Sequence, residues 1–357
     1  QDFGMVQSCD KNDTFLEHDV AFGGKGCIDA AHTYAHQLTL CASKQTHEHE
    51  KAVQTKQCPS MFVAVFSKLE NRARRAAIRE MWNSAGEGWS GNFKAKFAIC
   101  TRGRVPDVLR LEASAHQDLL IMDCKEGYHN GTLTQKVSTT MRAYLKNYSS
   151  YALFMKTDDD TWVSTSRLCN RLQWRRANGK SNLKAYMGVF AEGKENMKTK
   201  HAVIRDPHNS WYEPESKFRE NVFPLSAKGG PGYILPRKLV NAIITSGIAD
   251  QNELNNEDKA VGVWVQKLVA RGFAVEYVNL PGTDGFVQRA SWVPSKGKFK
   301  DYPFFFHHHL SGDAIACLHR IDKSRNPDMY IGECFPAPAT TGKKLVYEAT
   351  GLRIHAP

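Results

Sequence analysis

The residues best suited to chemistry in this chain are two acidic clusters, a run of histidines and a glycine turn. Asp158-Asp159-Asp160 follows the apolar run Tyr151-Ala152-Leu153-Phe154-Met155-Lys156, so a row of carboxylates stands where a buried strand would end. Hard divalent cations such as Mn²⁺ or Mg²⁺ take carboxylate oxygens, often only one or two from protein, with phosphate oxygens and water completing the shell. An isolated acidic triplet is more often a solvated turn or helix cap; the apolar strand beneath it favours the metal reading. His307-His308-His309 follows Phe304-Phe305-Phe306. A neutral imidazole there would add a metal ligand, although histidines beside aromatics more often pack. Asn256-Glu257-Asp258 opens a helix with Val261, Val265, Leu268 and Val269 on one face. The helix dipole favours carboxylates at that end whatever they do, and one fixed on a rigid element also suits a general base. Gly229-Gly230-Pro231-Gly232-Tyr233 would let backbone approach a ligand closely, or simply turn the chain.

Other nucleotide and metal signatures are missing. Neither G-x-G-x-x-G after the first strand nor G-x-x-x-x-G-K-[ST] occurs, so no dinucleotide site or P-loop is indicated. His32 with His36, and His47-Glu48-His49, lack the H-E-x-x-H pattern and read as surface histidines.

The elements that must position these residues alternate. Met61 to Phe66 reads as a buried strand, Glu70 to Trp82 as a helix, Lys96 to Cys100 as a strand, Val108 to Ala115 as a helix and Leu119 to Met122 as a strand. A long helix with Val137, Met141, Tyr144, Leu145 and Tyr148 at 3.6-residue spacing precedes the strand that ends at Asp158. A strand near Ala185 to Val189, helices at Arg237 to Thr245 and Asp258 to Ala270, and a strand at Ala274 to Val278 follow. After Pro281 the chain reads as turn-rich and basic. Alternation of this kind predicts an α/β fold with a largely parallel sheet and a ligand site at the carboxyl ends of its strands.

Composition sets the class. The chain has 357 residues, a formal charge of +11, 41% hydrophobic and 10% aromatic residues, a globular balance well away from that of disordered chains. No apolar run approaches the roughly 20 residues of a membrane span. The basic residues are dispersed and bring no zinc-finger, basic-zipper or RNP-like pattern, which argues for a nucleotide diphosphate or acidic glycan partner and against nucleic acid. Nine cysteines without C-x-x-C, and sequons at Asn12, Asn130 and Asn147, favour disulfides and the secretory pathway, with the chain in the Golgi lumen or secreted. Gln1-Asp2-Phe3 reads as the start of a processed chain or lumenal portion. Residues 1–58 carry Cys9, Cys27, Cys41 and Cys58 and few large aliphatics, which predicts a small appendage stapled by two internal disulfides; 59–326 then form the main domain and 327–357 a tail. Oligomerisation is compatible with the sequence.

Four segments fall in one order: Arg74-Arg75-Ala76-Ala77-Ile78-Arg79-Glu80-Met81-Trp82, Lys156-Thr157-Asp158-Asp159-Asp160, Gly229-Gly230-Pro231-Gly232-Tyr233 and Glu257-Asp258-Lys259-Ala260-Val261-Gly262. In that order the chain resembles the inverting β-1,3-galactosyltransferases, glycosyltransferase family 31, from Ser60 to Leu310. Glu126-Gly127-Tyr128-His129-Asn130 and Trp211-Tyr212-Glu213-Pro214-Glu215 look most like the plant and algal members. The resemblance implies a GT-A fold that binds a UDP-sugar through Mn²⁺ or Mg²⁺ and transfers galactose, or a related hexose or N-acetylhexosamine, in β-1,3 linkage to a glycan or glycoprotein. It implies that Asp160, with His308 or His309, holds the metal and that Asp258 is the catalytic base. It further implies that Asp158 and Asp159 lie on the nucleotide side, that Arg75 and Arg79 support the donor loop, and that Gly230 and Tyr233 border the sugar or acceptor. Met81, Gly131, Gln135 and Lys259 depart from the family's usual residues. These departures favour the alternative of a non-catalytic, secreted structural or carbohydrate-binding protein that keeps the fold; a glycoside hydrolase using the same carboxylates has little support.

Overall fold

The computed structural model describes residues 58–88, 93–128, 130–190, 202–283, 297–302, 304–324, 326 and 328–335. Three parallel βα units open it. They are β1 (Met61–Phe66) and α1 (Arg72–Gly88), β2 (Phe93–Cys100) and α2 (Asp107–His116), and β3 (Leu119–Met122) and α3 (Thr132–Asn147). β4 (Leu153–Asp158) joins β1 in parallel, and the chain runs on through β5 (Trp162–Val163), α4 (Thr165–Ala177) and β6 (Ala185–Gly188). After β7 (Tyr233–Pro236) come α5 (Arg237–Thr245), α6 (Ile248–Gln251), α7 (Glu257–Ala270), β8 (Glu276–Asn279), β9 (Gly282–Thr283), β10 (Phe306–His307) and α8 (Gly312–Ser324).

The main sheet has seven strands in the order β3-β2-β1-β4-β7-β6-β8, with β7 alone antiparallel to its neighbours. The sheet is mostly parallel and flanked by helices, as the alternation of the sequence predicts. Alternate residues of β1 feed opposite cores, as the strand period of two requires. Met61, Val63 and Val65 pack with Ile78, Leu168 and Leu318, whereas Phe62, Ala64 and Phe66 pack with Met141, Tyr144 and Trp264. Burial on both faces is why β1 reads as an unbroken apolar run.

A second, small sheet decides where the histidines go. β10 pairs antiparallel with β5 and parallel with β9, with His307 opposite Trp162. Since β5 begins just after Asp160, this pairing carries His308 and His309 to the acidic triplet, and the Leu310 amide bonds the Asp160 carbonyl at 2.9 Å.

Three features differ from the sequence expectation. β7 is a strand of four residues, Tyr-Ile-Leu-Pro, between a glycine turn and a helix; it is too short to show a period and Pro236 ends it. The region after Pro281 contains α8, whose Ala314, Ile315, Leu318 and Ile321 are buried at helical spacing. Cys58 bridges to Cys169 on α4, not to Cys9, Cys27 or Cys41, which lie outside the described residues. The expected pair of internal N-terminal disulfides is corrected in that respect, and the physical reason is packing: Cys58 immediately precedes β1 and is only 3% exposed in the core beside α4. Cys100–Cys124 and Cys317–Cys334 form two further bridges. The last ties α8 to a segment read as tail, whose Ile331 and Cys334 are buried in the core.

Candidate active site

The loop after β1, the end of β4, the glycine turn before β7, the N-terminus of α7 and the residues after β10 enclose a cavity of about 420 Å³. It lies where a parallel sheet presents the carboxyl ends of its strands.

Asp160 is the point of convergence. Its Oδ1 lies 3.0 Å from His308 Nε2, and its Oδ2 lies 3.9 Å from His309 Nδ1 and 3.8 Å from Arg74. The two imidazoles stack at 3.7 Å between centroids, and His309 adopts a left-handed φ of 64°, a conformation unusual for a residue other than glycine. One carboxylate and two imidazoles thus bring ligand atoms within 4.8 Å of one another. That donor set fits a divalent cation of the manganese kind, which accepts both oxygen and imidazole nitrogen. Although burial works against its charge, the hydrogen bond and charge of His308, with Arg74 and His309, hold the Asp160 carboxyl below its ordinary range. His307 takes no part. It is buried, bonded to the Tyr302 hydroxyl, and burial with its two histidine neighbours pushes its pKa down to about 3.

The other two aspartates are already engaged. Asp159 accepts from Asn71 Nδ2 at 2.9 Å and from Arg74 Nη1 at 3.1 Å, so it fastens the loop after β1 to the end of β4. Asp158 accepts from Lys156 Nζ at 2.8 Å, and burial pushes its carboxyl up against the pull of Lys156 and His308. Lys156 also reaches the Gly229 carbonyl at 3.0 Å and Glu257 Oε2 at 3.4 Å. Burial opposes its charge, and the two carboxylates more than restore it.

Lys156 therefore ties together β4, the glycine turn and the start of α7. The Tyr233 hydroxyl donates to Glu257 Oε1 at 2.6 Å, and the ring is fully buried instead of bordering the cavity. The glycines are required by closeness. A Cβ on Gly229 would lie 2.5 Å from Glu257 Oε2, and one on Gly230 would enter the His308 ring. Asp258, in the first turn of α7, lines the cavity half-buried. Its Oδ1 accepts from the Lys259 amide at 2.8 Å, and the Lys259 ammonium lies 3.8 Å from Oδ2 while donating to Ser226 Oγ.

Of the two arginines singled out in the sequence, Arg75 supports a cavity loop from beneath. It donates to Ser67 Oγ at 3.0 Å and to the Lys68 and Leu69 carbonyls while paired with Glu112. Arg79 instead bonds Glu112 and Asp118 and does not line the cavity. The α1 arginine that does is Arg74. Against the cost of burial, Arg75 and Arg79 hold the Glu112 pKa down to about 2.

Sequence reasoning passed over Arg74, Lys156 as a tether, and the pair Lys136 and Glu126. Lys136 is buried and donates to the Ser67 carbonyl and to Glu126 Oε1, each at 2.7 Å. Each lysine carried a signal, an ionisable residue in phase with an apolar run: Lys156 lies within a buried strand, and Lys136 precedes Val137 on the buried side of α3.

The fold is of the α/β class, with its cavity at the carboxyl ends of the parallel strands. The family model described as Galactosyltransferase matches residues 73–273, and the chain belongs to this family, glycosyltransferase family 31. It is 26% identical over 224 residues to beta-1,3-galactosyltransferase GALT1 of Arabidopsis thaliana, covering 61% of this chain and 32% of that protein. It is 28% identical over 220 residues to human N-acetyllactosaminide beta-1,3-N-acetylglucosaminyltransferase 2, covering 59% and 51%. The chain thus spans about a third to about half the length of these relatives. Among solved structures, the mannosyltransferase PcManGT of Pyrobaculum calidifontis, in complex with GDP-Man and Mn²⁺, aligns with a TM-score of 0.36 at 13% identity over 64% of this chain and 56% of that one.

Proposed function

We propose that the chain is an inverting, metal-dependent glycosyltransferase that moves galactose, or a related hexose or N-acetylhexosamine, from a UDP-sugar to a glycan or glycoprotein hydroxyl in β-1,3 linkage. The observation that carries this reading is that the Asp160-His308-His309 cluster and Asp258 line one cavity. Mn²⁺ or Mg²⁺ held by that cluster would offset the charge on the diphosphate leaving group.

The chain's own residues do the rest. Arg74, anchored by Asp159, adds fixed positive charge beside the cluster. Asp258 takes the acceptor hydroxyl's proton as that oxygen bonds the anomeric carbon. The bond from this carbon to UDP breaks, and its electron pair leaves with the diphosphate. Glu257 is excluded from that role because Tyr233 and Lys156 occupy both of its oxygens. A single base carboxylate suits inversion, in which no covalent intermediate forms, whereas retaining chemistry needs a second, nucleophilic group. Three disulfides among the described residues support a secretory, Golgi-lumenal or extracellular setting. No described helix is long and apolar enough to cross a membrane.

A donor screen tests the reading. UDP release from UDP-galactose, UDP-N-acetylglucosamine and UDP-glucose is measured with Mn²⁺ and then with chelator. Release from one donor that chelator abolishes is the expected result. Tight UDP binding with no transfer from any donor would instead support the non-catalytic alternative.

A further inference from the structure

One wall of the cavity carries an aromatic side chain that the reaction described above does not use. Trp211 is 57% exposed and lines the cavity with Ser210, Asn255 and Asp258. Among the described residues no ring or cation stacks on its indole. A large exposed apolar ring inside a functional cavity is a contact waiting for a ligand.

The indole is held in place by its backbone. The Trp211 amide donates to Asn209 Oδ1 at 2.8 Å, and its carbonyl accepts from Asn256 Nδ2 at 3.1 Å. The Tyr212 amide donates to the Asn209 carbonyl at 3.0 Å, and the Tyr212 carbonyl accepts from Asn255 Nδ2 at 3.0 Å. Glu213, fully buried, accepts from the Asn255 amide at 2.9 and 3.0 Å, from the Asn256 amide at 3.2 Å and from Asn256 Nδ2 at 3.1 Å. Residues 211–213 are thereby stapled to the N-terminus of α7, so Trp211 and Asp258 sit on one rigid piece.

We propose that Trp211 is the acceptor platform: its indole stacks against one face of the pyranose whose hydroxyl Asp258 deprotonates, and the acceptor is a sugar and not a hydroxyl-bearing peptide side chain. This rests on the reading of Asp258 as the base. A pyranose is amphipathic in the sense an indole matches, with C–H bonds on its faces and hydroxyls around its rim. An extended peptide would need free backbone groups to pair with. Residues 211–213 have none to give, since the Trp211 and Tyr212 amides and carbonyls are taken, the Glu213 amide bonds the Ile204 carbonyl at 2.9 Å and the Glu213 carbonyl accepts from Arg205 at 2.7 Å.

The test compares the wild type, Trp211→Ala and Trp211→Phe on N-acetyllactosamine and on a Ser/Thr-rich peptide, alongside UDP affinity with Mn²⁺. Trp211→Ala should raise the KM for the disaccharide roughly tenfold or more, as truncation of an aromatic anchor does, and Trp211→Phe should recover most of it. UDP affinity and the donor KM should not move. An unchanged disaccharide KM, a parallel loss of donor affinity, or preferential use of the peptide would overturn the proposal. If the wild type transfers to neither acceptor, the reading of Asp258 fails separately, and saturation-transfer NMR with N-acetyllactosamine still decides the platform. Saturation of the sugar's ring protons that Trp211→Ala removes supports it; no saturation with the wild type refutes it.

Discussion

Around β4 the cavity wall is made of charges that answer one another, whereas around the N-terminus of α7 it is made of backbone hydrogen bonds and one exposed ring. On the first side Asp158, Asp159, Lys156, Arg74 and Asn71 each have partners, and the carboxylate left to gather ligands is Asp160, beside His308 and His309. On the second side Asp258 lines the cavity, and the residues before it are held by the buried Glu213. A nucleoside diphosphate needs dense fixed charge that does not collapse when the ligand is absent, which a cross-linked network provides. A neutral sugar needs shape and a correctly placed base, which an anchored helix start and a platform provide.

The comparison predicts that the two sides fail differently. Asp160→Ala should remove Mn²⁺-dependent UDP binding altogether while leaving the fold intact, measured by calorimetry with and without chelator. A wild-type UDP affinity that chelator leaves unchanged would refute the metal assignment. Asp258→Asn should lower transfer by about 10²–10⁴-fold with UDP affinity unchanged, because the amide keeps the carboxylate's shape and cannot accept a proton. Transfer at the wild-type rate would place the base elsewhere. Glu257→Gln, the neighbouring control, should be milder in kcat and should also loosen the donor side through Lys156.

The smallest effect lies beneath the donor side, at Glu112. Its folded pKa of about 2 is below the ordinary glutamate value of about 4.5, so its pairing with Arg75 and Arg79 stabilises the fold at pH values above the unfolded pKa. That contribution fades as pH falls from about 4.5 to about 2. Urea melts across this window should show a shallower loss of stability in Glu112→Gln than in the wild type, and identical slopes would show that the pairing contributes nothing.

Much of this was legible in the residues alone. The alternation of apolar runs and amphipathic helices indicated the sheet and its site-bearing edge, because burial on both faces leaves a continuous apolar signature in β1 and in the first half of β4. Asp160 and Asp258 stood out because each is an ionisable residue at the end of a strongly patterned element. The same logic, carried further, would have found Lys156 and Lys136, each a lone charge beside buried apolar positions.

Other features have no local signal. β7 is four residues long, and Cys58 could pair with any cysteine that the fold brought near. That Asp159 serves Arg74 while Asp160 meets His308 follows from which way successive side chains point at a strand end, and nothing local turns the Tyr233 hydroxyl inward to Glu257 instead of toward a sugar or acceptor. The sequence by itself determined the residue types available for metal, base and aromatic contact, since composition and local pattern suffice to place each at the end of an element. Which of them meet was decided by the tertiary structure. The pairing of β10 with β5 and the stapling of residues 211–213 to α7 are contacts between distant parts of the chain, and hydrogen bonds of that kind exist only once the sheet has closed the distance between them.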